Sequence, residues 1–481
     1  MKIALFLKSI IAAFAMILGT SEFVAAATVD KRPNIVLIFA DDLGYGDVGY
    51  HGSPDMVTPN IDLIANNGVR FSAGYVSAPV CGPSRAGLRT GCYQQRFGAE
   101  DNPGPYKRSK DVKIGVPTSM KTISERLKAL GYSTCMIGKS HTGNAPEFHP
   151  NSSGFDEFFG FINGASNYRS DGRFGKKINQ KENPILRNRE RVEESEYLTD
   201  AFGREAVAFI NRQTSTNLTK HAKPFFLYVP FNAIHGPMQA ADPDLEMFKG
   251  IKKEKRKLAV AMNYSLDRNV GRIMAALRAR NLEDNTFVIF FSDNGGKPKG
   301  NGSLNTPLRG IKGQLWDGGI RIPFCMQWPA EIKSGKKIDV PIISLDILPT
   351  VVAAAGGKLQ KDDKVDGINL LPFLEGKTNS LPERYLYWRF NKKWAIRDAN
   401  WKLTKDRRAK LPQLFNISSD ISEMHDLYAQ KPKIVKRLQN KYNEWNSELI
   451  PKQWGWDKSM PVYDPEMGSC EISENPGKTI K

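Results

Sequence analysis

Five short stretches of the chain place acids, bases and amides where they could act together. Asp41 and Asp42 follow NIVLIF, Lys139 and His141 follow CMI, His235 follows FFLYV, and Asp293 and Asn294 follow FVIFF. A fifth stretch, CGPSRAGLRTG, runs from Cys81 to Gly91 and carries Arg85. Asp41, Asp42, Asp293 and Asn294 offer only oxygen donors, a set that suits a hard cation such as Ca²⁺ or Mg²⁺ rather than zinc. Cationic side chains beside such an ion balance charge on a transferring anionic group, and imidazoles there can move protons. The other four of the six histidines, His51, His149, His221 and His425, carry no such assignment.

The four apolar runs read as buried strands, and helical periodicity falls between them at 118–131, at 198–213 with Thr199 as its N-cap, and at 255–281. The alternation predicts an α/β sandwich with a mostly parallel central sheet. In open sheets of this kind ligands bind beyond the carboxyl ends of the strands, so the polar residues share one edge. The catalytic unit is expected over 28–382. YLYWRF, KWAIRD and WKLTKD then resemble three antiparallel strands, followed by a helix near 432–449, which predicts a small α+β subdomain over 383–481. The basic run IKKEKRK, 251–257, reads as a solvated helix start.

CGPSRAGLRTG resembles the sulfatase signature C-x-P-S-R-x(4)-T-G at every fixed position. GYSTCMIGKSH, Gly131 to His141, resembles the second signature of that family, G-Y-x-T-x-x-x-G-K-x-H, also without a mismatch. The chain thus resembles the type I, formylglycine-dependent sulfatases of the alkaline phosphatase superfamily. ADDLGYGDVG, TPNIDLIANNGVRF, NAIHGP, SDNGG, GIKGQLWDGGIRIP and LFNISSDISEMHDL extend the resemblance from Asn34 to Glu448, leaving out an insertion at 160–192 and the tail after Ile450.

The resemblance implies an alkaline-phosphatase-like fold in which Cys81 is converted to Cα-formylglycine (3-oxoalanine) by a formylglycine-generating maturation enzyme. The aldehyde hydrates, one hydroxyl of the diol attacks sulfur, and deprotonation of the other expels sulfate. The resemblance also implies a Ca²⁺ or Mg²⁺ ion held by Asp41, Asp42, Asp293, Asn294 and the modified Cys81. Arg85 would hold the aldehyde, and Lys139 and Lys312 would touch the sulfate. His141 would take a proton from the diol, and His235 would protonate the departing alcohol.

With 481 residues, 40% hydrophobic and 25% charged, the chain excludes a disordered, collagenous or disulfide-knotted protein. Lys2 and Lys8 precede a short apolar run that ends in Ala25, Ala26 and Ala27, which reads as a cleavable signal peptide over 1–27 and predicts a secreted or periplasmic protein. No later stretch is apolar enough to span a bilayer. The formal net charge of +18 attracts polyanions. For an exported protein that means sulfated carbohydrate rather than nucleic acid, with algal galactans such as carrageenan and animal glycosaminoglycans as candidates.

Gln94 and Arg96, just past the cysteine segment, and Arg169 and Arg173, in the insertion, are expected to hold sugar hydroxyls or a second sulfate. Two other readings fit the same motifs: an arylsulfatase or a phosphonate or phosphodiester hydrolase of the superfamily, and a non-catalytic polyanion binder. The last would need a broken catalytic set, and every position is filled. Five cysteines leave at least one outside any intramolecular disulfide. Cys92, Cys135, Cys325 and Cys470 could pair, in no order that sequence assigns, and Cys135 reads as a core thiol. Nothing in the sequence speaks to oligomeric state.

Overall fold

The structure, a computed structural model, describes residues 30–103, 114–143, 145–169, 183–215, 223–407, 409–455, 462–464 and 469–471. The expected signal peptide, Arg173, His221 and the Cys470 side chain lie outside what is described.

Ten of the strands form one sheet. In chain order the first twelve strands are β1 (Asn34–Ala40), β2 (Val69–Phe71), β3 (Gly74–Tyr75), β4 (Ser133–Lys139), β5 (Glu157–Phe161), β6 (Leu186–Arg187), β7 (Glu190–Arg191), β8 (Phe225–Pro230), β9 (Thr286–Ser292), β10 (Phe324–Gln327), β11 (Lys336–Ile338) and β12 (Ile342–Ile343). The sheet runs β11-β2-β10-β9-β1-β8-β4-β5-β6-β7, and β3 pairs separately with β12. Its centre, β9-β1-β8-β4-β5, is wholly parallel. Antiparallel pairing appears only toward the edges, at β10 and at the β6–β7 hairpin. The expected mostly parallel sheet is therefore present.

Alternation along β1 explains the sandwich. Val36 and Ile38 face a core that also holds Ile61, Phe202, Phe209, Val260 and Ile273 of the helices Pro59–Asn66, Leu198–Ser215 and Glu254–Ala279. Ile35, Leu37 and Phe39 point the other way, against Leu88, Leu127 and Val351 of the helices Cys81–Thr90, Ile123–Ala129 and Ile347–Ala354. Because both faces are covered, each central strand reads as a continuous apolar run.

The helix expected from Thr118 begins at Ile123. Glu125 Oε2 accepts from the Thr122 backbone N–H at 2.8 Å, and the Thr122 hydroxyl oxygen accepts from the Glu125 N–H, a capping box that sets the start. The next helix begins at Leu198, which puts Thr199 inside its first turn rather than at the cap. IKKEKRK is not wholly solvated. Arg256 is buried, with Nη1 2.7 Å from Asp47 Oδ1 and Nε 3.0 Å from Asp55 Oδ2, because its helical phase turns it inward.

The C-terminal sheet has four antiparallel strands, one more than expected: β13 (Leu386–Phe390), β14 (Lys393–Arg397), β15 (Trp401–Lys405) and β16 (Gln413–Asn416). The helix Pro432–Ser447 packs on it. Trp388, Ile396, Leu403, Tyr442 and Trp445 share a core with Tyr75, Tyr93 and Leu345 of the large unit. Lys402 is buried between Asp317 at 2.6 Å and Glu423 at 2.8 Å. Two short strands, Val462–Asp464 and Ser469–Glu471, pair beyond it. Cys81, Cys92, Cys135 and Cys325 are buried and free, and Cys135 lies in the core as expected.

Candidate active site

Register brings the acids together. Ala40 of β1 pairs with Ser292 of β9, so Asp41 and Asp42 leave the sheet level with Asp293 and Asn294. The Asp42 N–H donates to Asp293 Oδ1 at 3.1 Å, and Asp42 takes a left-handed backbone, φ 61, which aspartate tolerates. Lys139 ends β4, and His235 lies in the loop beyond β8.

Cys81 heads the Cys81–Thr90 helix. Its Sγ lies 3.5 Å from Asp41 Oδ1 and 3.1 Å from Lys312 Nζ. Ligand atoms of Asp41, Asp42, Cys81 and Asp293 all fall within 4.8 Å of one another, and all four residues are buried. Lys139 Nζ is 2.5 Å from Asp41 Oδ2, and Lys312 Nζ is 2.6 Å from Asp42 Oδ1. Arg85 donates through Nη2 to Asp293 Oδ2 at 2.8 Å and through Nη1 to the Lys139 carbonyl at 3.0 Å, over the ring of Phe39. Asn294 Nδ2 donates to Asp42 Oδ1 at 2.7 Å, while its Oδ1 is buried without a partner.

That orphaned oxygen decides how the cluster fits a metal. Three carboxylates and one unpartnered amide oxygen, all shielded from water, form an oxygen-only donor set that a hard divalent cation would satisfy.

His141 also has a left-handed backbone, φ 55, and its buried Nδ1 has no partner. The ring fits only because residue 164 is glycine, where a Cβ would stand 2.8 Å from His141 Nε2. His235 donates from Nδ1 to the Gly236 carbonyl at 2.6 Å, which leaves Nε2, 3.9 Å from Asp42 Oδ2, to exchange protons.

Burial sets the protonation states. It pushes the Cys81 thiol far up, and the Asp293 and Asp41 carboxylates add to the effect. Asp293 is pushed up to about 6 by burial and by the neighbouring Asp41 charge. Burial opposes ionisation of Asp42 too, but Lys312 and His235 more than offset it and hold that carboxyl below the ordinary range. His235 is drawn down to about 3 and His141 well down, in each case by burial first and then by nearby cations, among them Lys139 and Lys312.

The expected substrate residues have other partners. Gln94 is buried and donates to the Ser77 carbonyl at 3.0 Å. Arg96 is held by Asp366 at 2.7 Å and Glu448 at 3.0 Å. Arg169 pairs with Asp242 at 2.8 Å. Sequence reasoning missed the residues that fix the loops. Ser292 Oγ accepts from the Leu43 N–H and donates to the Asn294 carbonyl, each at 3.0 Å. Asn301 Nδ2 donates to the Asp42 and Ile234 carbonyls, each at 3.2 Å, and Asp47 Oδ2 accepts from the Leu304 N–H at 2.8 Å. Asn102 Oδ1 accepts from the Gly82 N–H at 2.8 Å, beside Cys81. Only the Asn and Ser content of the 301–305 loop hinted at such a role.

The Sulfatase family model matches residues 33–357, and the model for N-sulphoglucosamine sulphohydrolase, C-terminal, matches 312–448. This chain belongs to the sulfatase family. It is a sulfuric ester hydrolase, and sulfatases of the family generally work with a formylglycine and a divalent metal. N-acetylgalactosamine-6-sulfatase of Rattus norvegicus is 34% identical over 498 residues, covering 92% of this sulfatase and 89% of that protein. Arylsulfatase J of Mus musculus is 30% identical over 490 residues, covering 90% and 78%. The crystal structure of Ps i-CgsB in complex with k-i-k-neocarrahexaose matches with a TM-score of 0.82 at 39% identity, covering 89% of this chain and 95% of that one. The PsFucS1 sulfatase from Pseudoalteromonas sp. matches with a TM-score of 0.70 at 25% identity, covering 88% and 91%.

Proposed function

We propose that this sulfatase releases inorganic sulfate from a sulfated carbohydrate, an algal galactan of the carrageenan type or its oligosaccharides, after export to the periplasm or medium. The observation that carries the substrate class is the 39% identity, over most of both chains, to a protein solved with a carrageenan hexasaccharide bound. The net charge of +18 and the signal-like segment over 1–27 agree with it.

A buried thiol pushed far up is neutral at any physiological pH and a poor nucleophile, so this reading needs Cys81 to be matured to formylglycine by a generating enzyme. Asp41, Asp42, Asp293 and Asn294 would hold a Ca²⁺ or Mg²⁺ ion with the modified residue 81, and such an ion supplies charge to balance the acids and polarise sulfate oxygens. Arg85, fixed by Asp293 and the Lys139 carbonyl, holds the side chain of residue 81 in place. Lys139 and Lys312 bring two ammonium groups to the transferring sulfuryl group. His141, neutral and with an unspent Nδ1, is the proton acceptor for release of sulfate. An arriving anionic ester favours the protonated form of His235, whose Nε2 then delivers the proton to the departing sugar hydroxyl.

The test is sulfate release by protein co-expressed with a formylglycine-generating enzyme, compared across carrageenan oligosaccharides, glycosaminoglycan oligosaccharides and 4-nitrophenyl sulfate. The highest kcat/KM is expected on a carrageenan oligosaccharide. Turnover confined to aryl sulfates, or to phosphonate esters or phosphodiesters, would overturn the proposal.

A further inference from the structure

A cleft of about 900 Å³ opens between the Glu100–Asp101 loop and the start of β14, where Lys392, Lys393 and Trp394 line it together with Arg407. Two hydrogen bonds tie its walls to the active site. Lys393 Nζ donates to the Gly313 carbonyl at 2.5 Å, and Gly313 follows Lys312, whose Nζ is 3.1 Å from Cys81 Sγ. On the opposite wall Asn102, next to Asp101, accepts from the N–H of Gly82, next to Cys81. Each wall of the cleft is thus tied by one hydrogen bond to a segment that carries an active-site residue, Lys312 on one side and Cys81 on the other.

Its charge is not balanced within the protein. The two wall acids are engaged, Glu100 by Arg389 at 2.6 Å and Asp101 by Lys452 at 3.4 Å. Lys392 and Arg407 are exposed and make no ion pair among the described residues. Burial draws the Lys393 ammonium down, and the nearby Arg407 guanidinium adds to that against Asp406 and Asp101. Exposed cations with no ion-pair partner of their own are open to an anionic ligand. Trp394 adds a half-exposed indole stacked on Tyr442 at 4.5 Å and 22°, a rigid apolar surface of the kind a sugar ring covers.

We infer that this cleft binds the sugar residues adjoining the one being desulfated, with Lys392 and Arg407 pairing with a second sulfate and Trp394 packing against a ring. The inference rests on the sulfated-carbohydrate reading above and assigns its specificity to the C-terminal sheet, in place of Gln94, Arg96 and Arg169. An enzyme built this way prefers oligosaccharides carrying more than one sulfate to small aryl sulfates.

Matured enzyme and a Lys392→Glu/Arg407→Glu variant are compared on a carrageenan hexasaccharide and on 4-nitrophenyl sulfate, at low and high salt. If the wild-type enzyme leaves carrageenan intact, a chondroitin sulfate hexasaccharide takes its place. For the variant, kcat/KM on the hexasaccharide is expected to fall tenfold or more and to lose most of its salt dependence, with aryl sulfate turnover unchanged. An unchanged hexasaccharide kcat/KM, or an equal loss on both substrates, overturns the inference and leaves the proposed function standing. A wild-type enzyme that desulfates 4-nitrophenyl sulfate but neither hexasaccharide overturns both.

Discussion

His235 is the residue whose role depends most on the leaving group. Its Nδ1–H is fixed on the Gly236 carbonyl, so only Nε2 can deliver a proton. A sugar alkoxide leaves poorly without that proton, whereas 4-nitrophenolate leaves unaided. His235→Ala is therefore expected to lower kcat on a sulfated oligosaccharide by about 10²–10⁴-fold and on 4-nitrophenyl sulfate far less, a difference steady-state kinetics would reveal. The same scale shows where sequence adjacency misleads. Gln94 and Arg96 follow the cysteine segment closely in the chain, but the chain turns at Gly91 after the helix from Cys81, and both side chains are engaged elsewhere, Gln94 on the Ser77 carbonyl and Arg96 on Asp366 and Glu448. Asp41, Asp42, Asp293 and Asn294 were legible for the opposite reason: each ends a strand, and neighbouring parallel strands end level.

Among the elements, the loop of 292–305 holds the geometry. Asn301 supplies the amide that satisfies two buried carbonyls, those of Asp42 and Ile234. Asn301→Ala leaves both without that donor and is expected to cost about 1–3 kcal/mol in stability, and to weaken Ca²⁺ binding measured by calorimetry. The capping box is a purer test of local chemistry. Thr122→Ala removes it and should lower stability by about 0.5–2 kcal/mol in a denaturant melt, with kcat unchanged. TSMKTISE contains two threonines, and only the pairing of Thr122 with Glu125 three residues on selects the true start. Neither Asn301 nor the fourth C-terminal strand, Gln413–Asn416, was legible, because a loop clamp has no period and a four-residue edge strand carries too short a pattern.

Across the whole molecule, buried charge joins the two sheets. Lys402 of the C-terminal sheet sits between Asp317 and Glu423 with no access to water. Lys402→Met leaves the buried Glu423 carboxyl without its cation and takes one of three from Asp317, which keeps Arg321 at 3.2 Å and Arg397 at 3.9 Å, and is expected to destabilise the protein by about 3–5 kcal/mol in a thermal melt. Burial, with the Asp317 charge adding, pushes the Glu423 carboxyl from 4.5 up to about 7, against Lys402. The folded state then keeps a proton that the unfolded chain has released, so this group's contribution is full below pH 4.5 and lost as pH rises through 7. Glu423→Gln should flatten that part of the Tm against pH curve. The sandwich itself was legible from apolar runs and helical periods, whereas the cleft of Lys392, Trp394 and Arg407 forms only where two distant parts of the chain meet.

The most direct measurement is sulfate released from a carrageenan hexasaccharide, quantified by ion chromatography, for matured protein against its Cys81→Ala variant. Stoichiometric release by the matured protein and none by the variant is the predicted result. Release by Cys81→Ala, or none by protein shown to carry formylglycine at position 81, would contradict it.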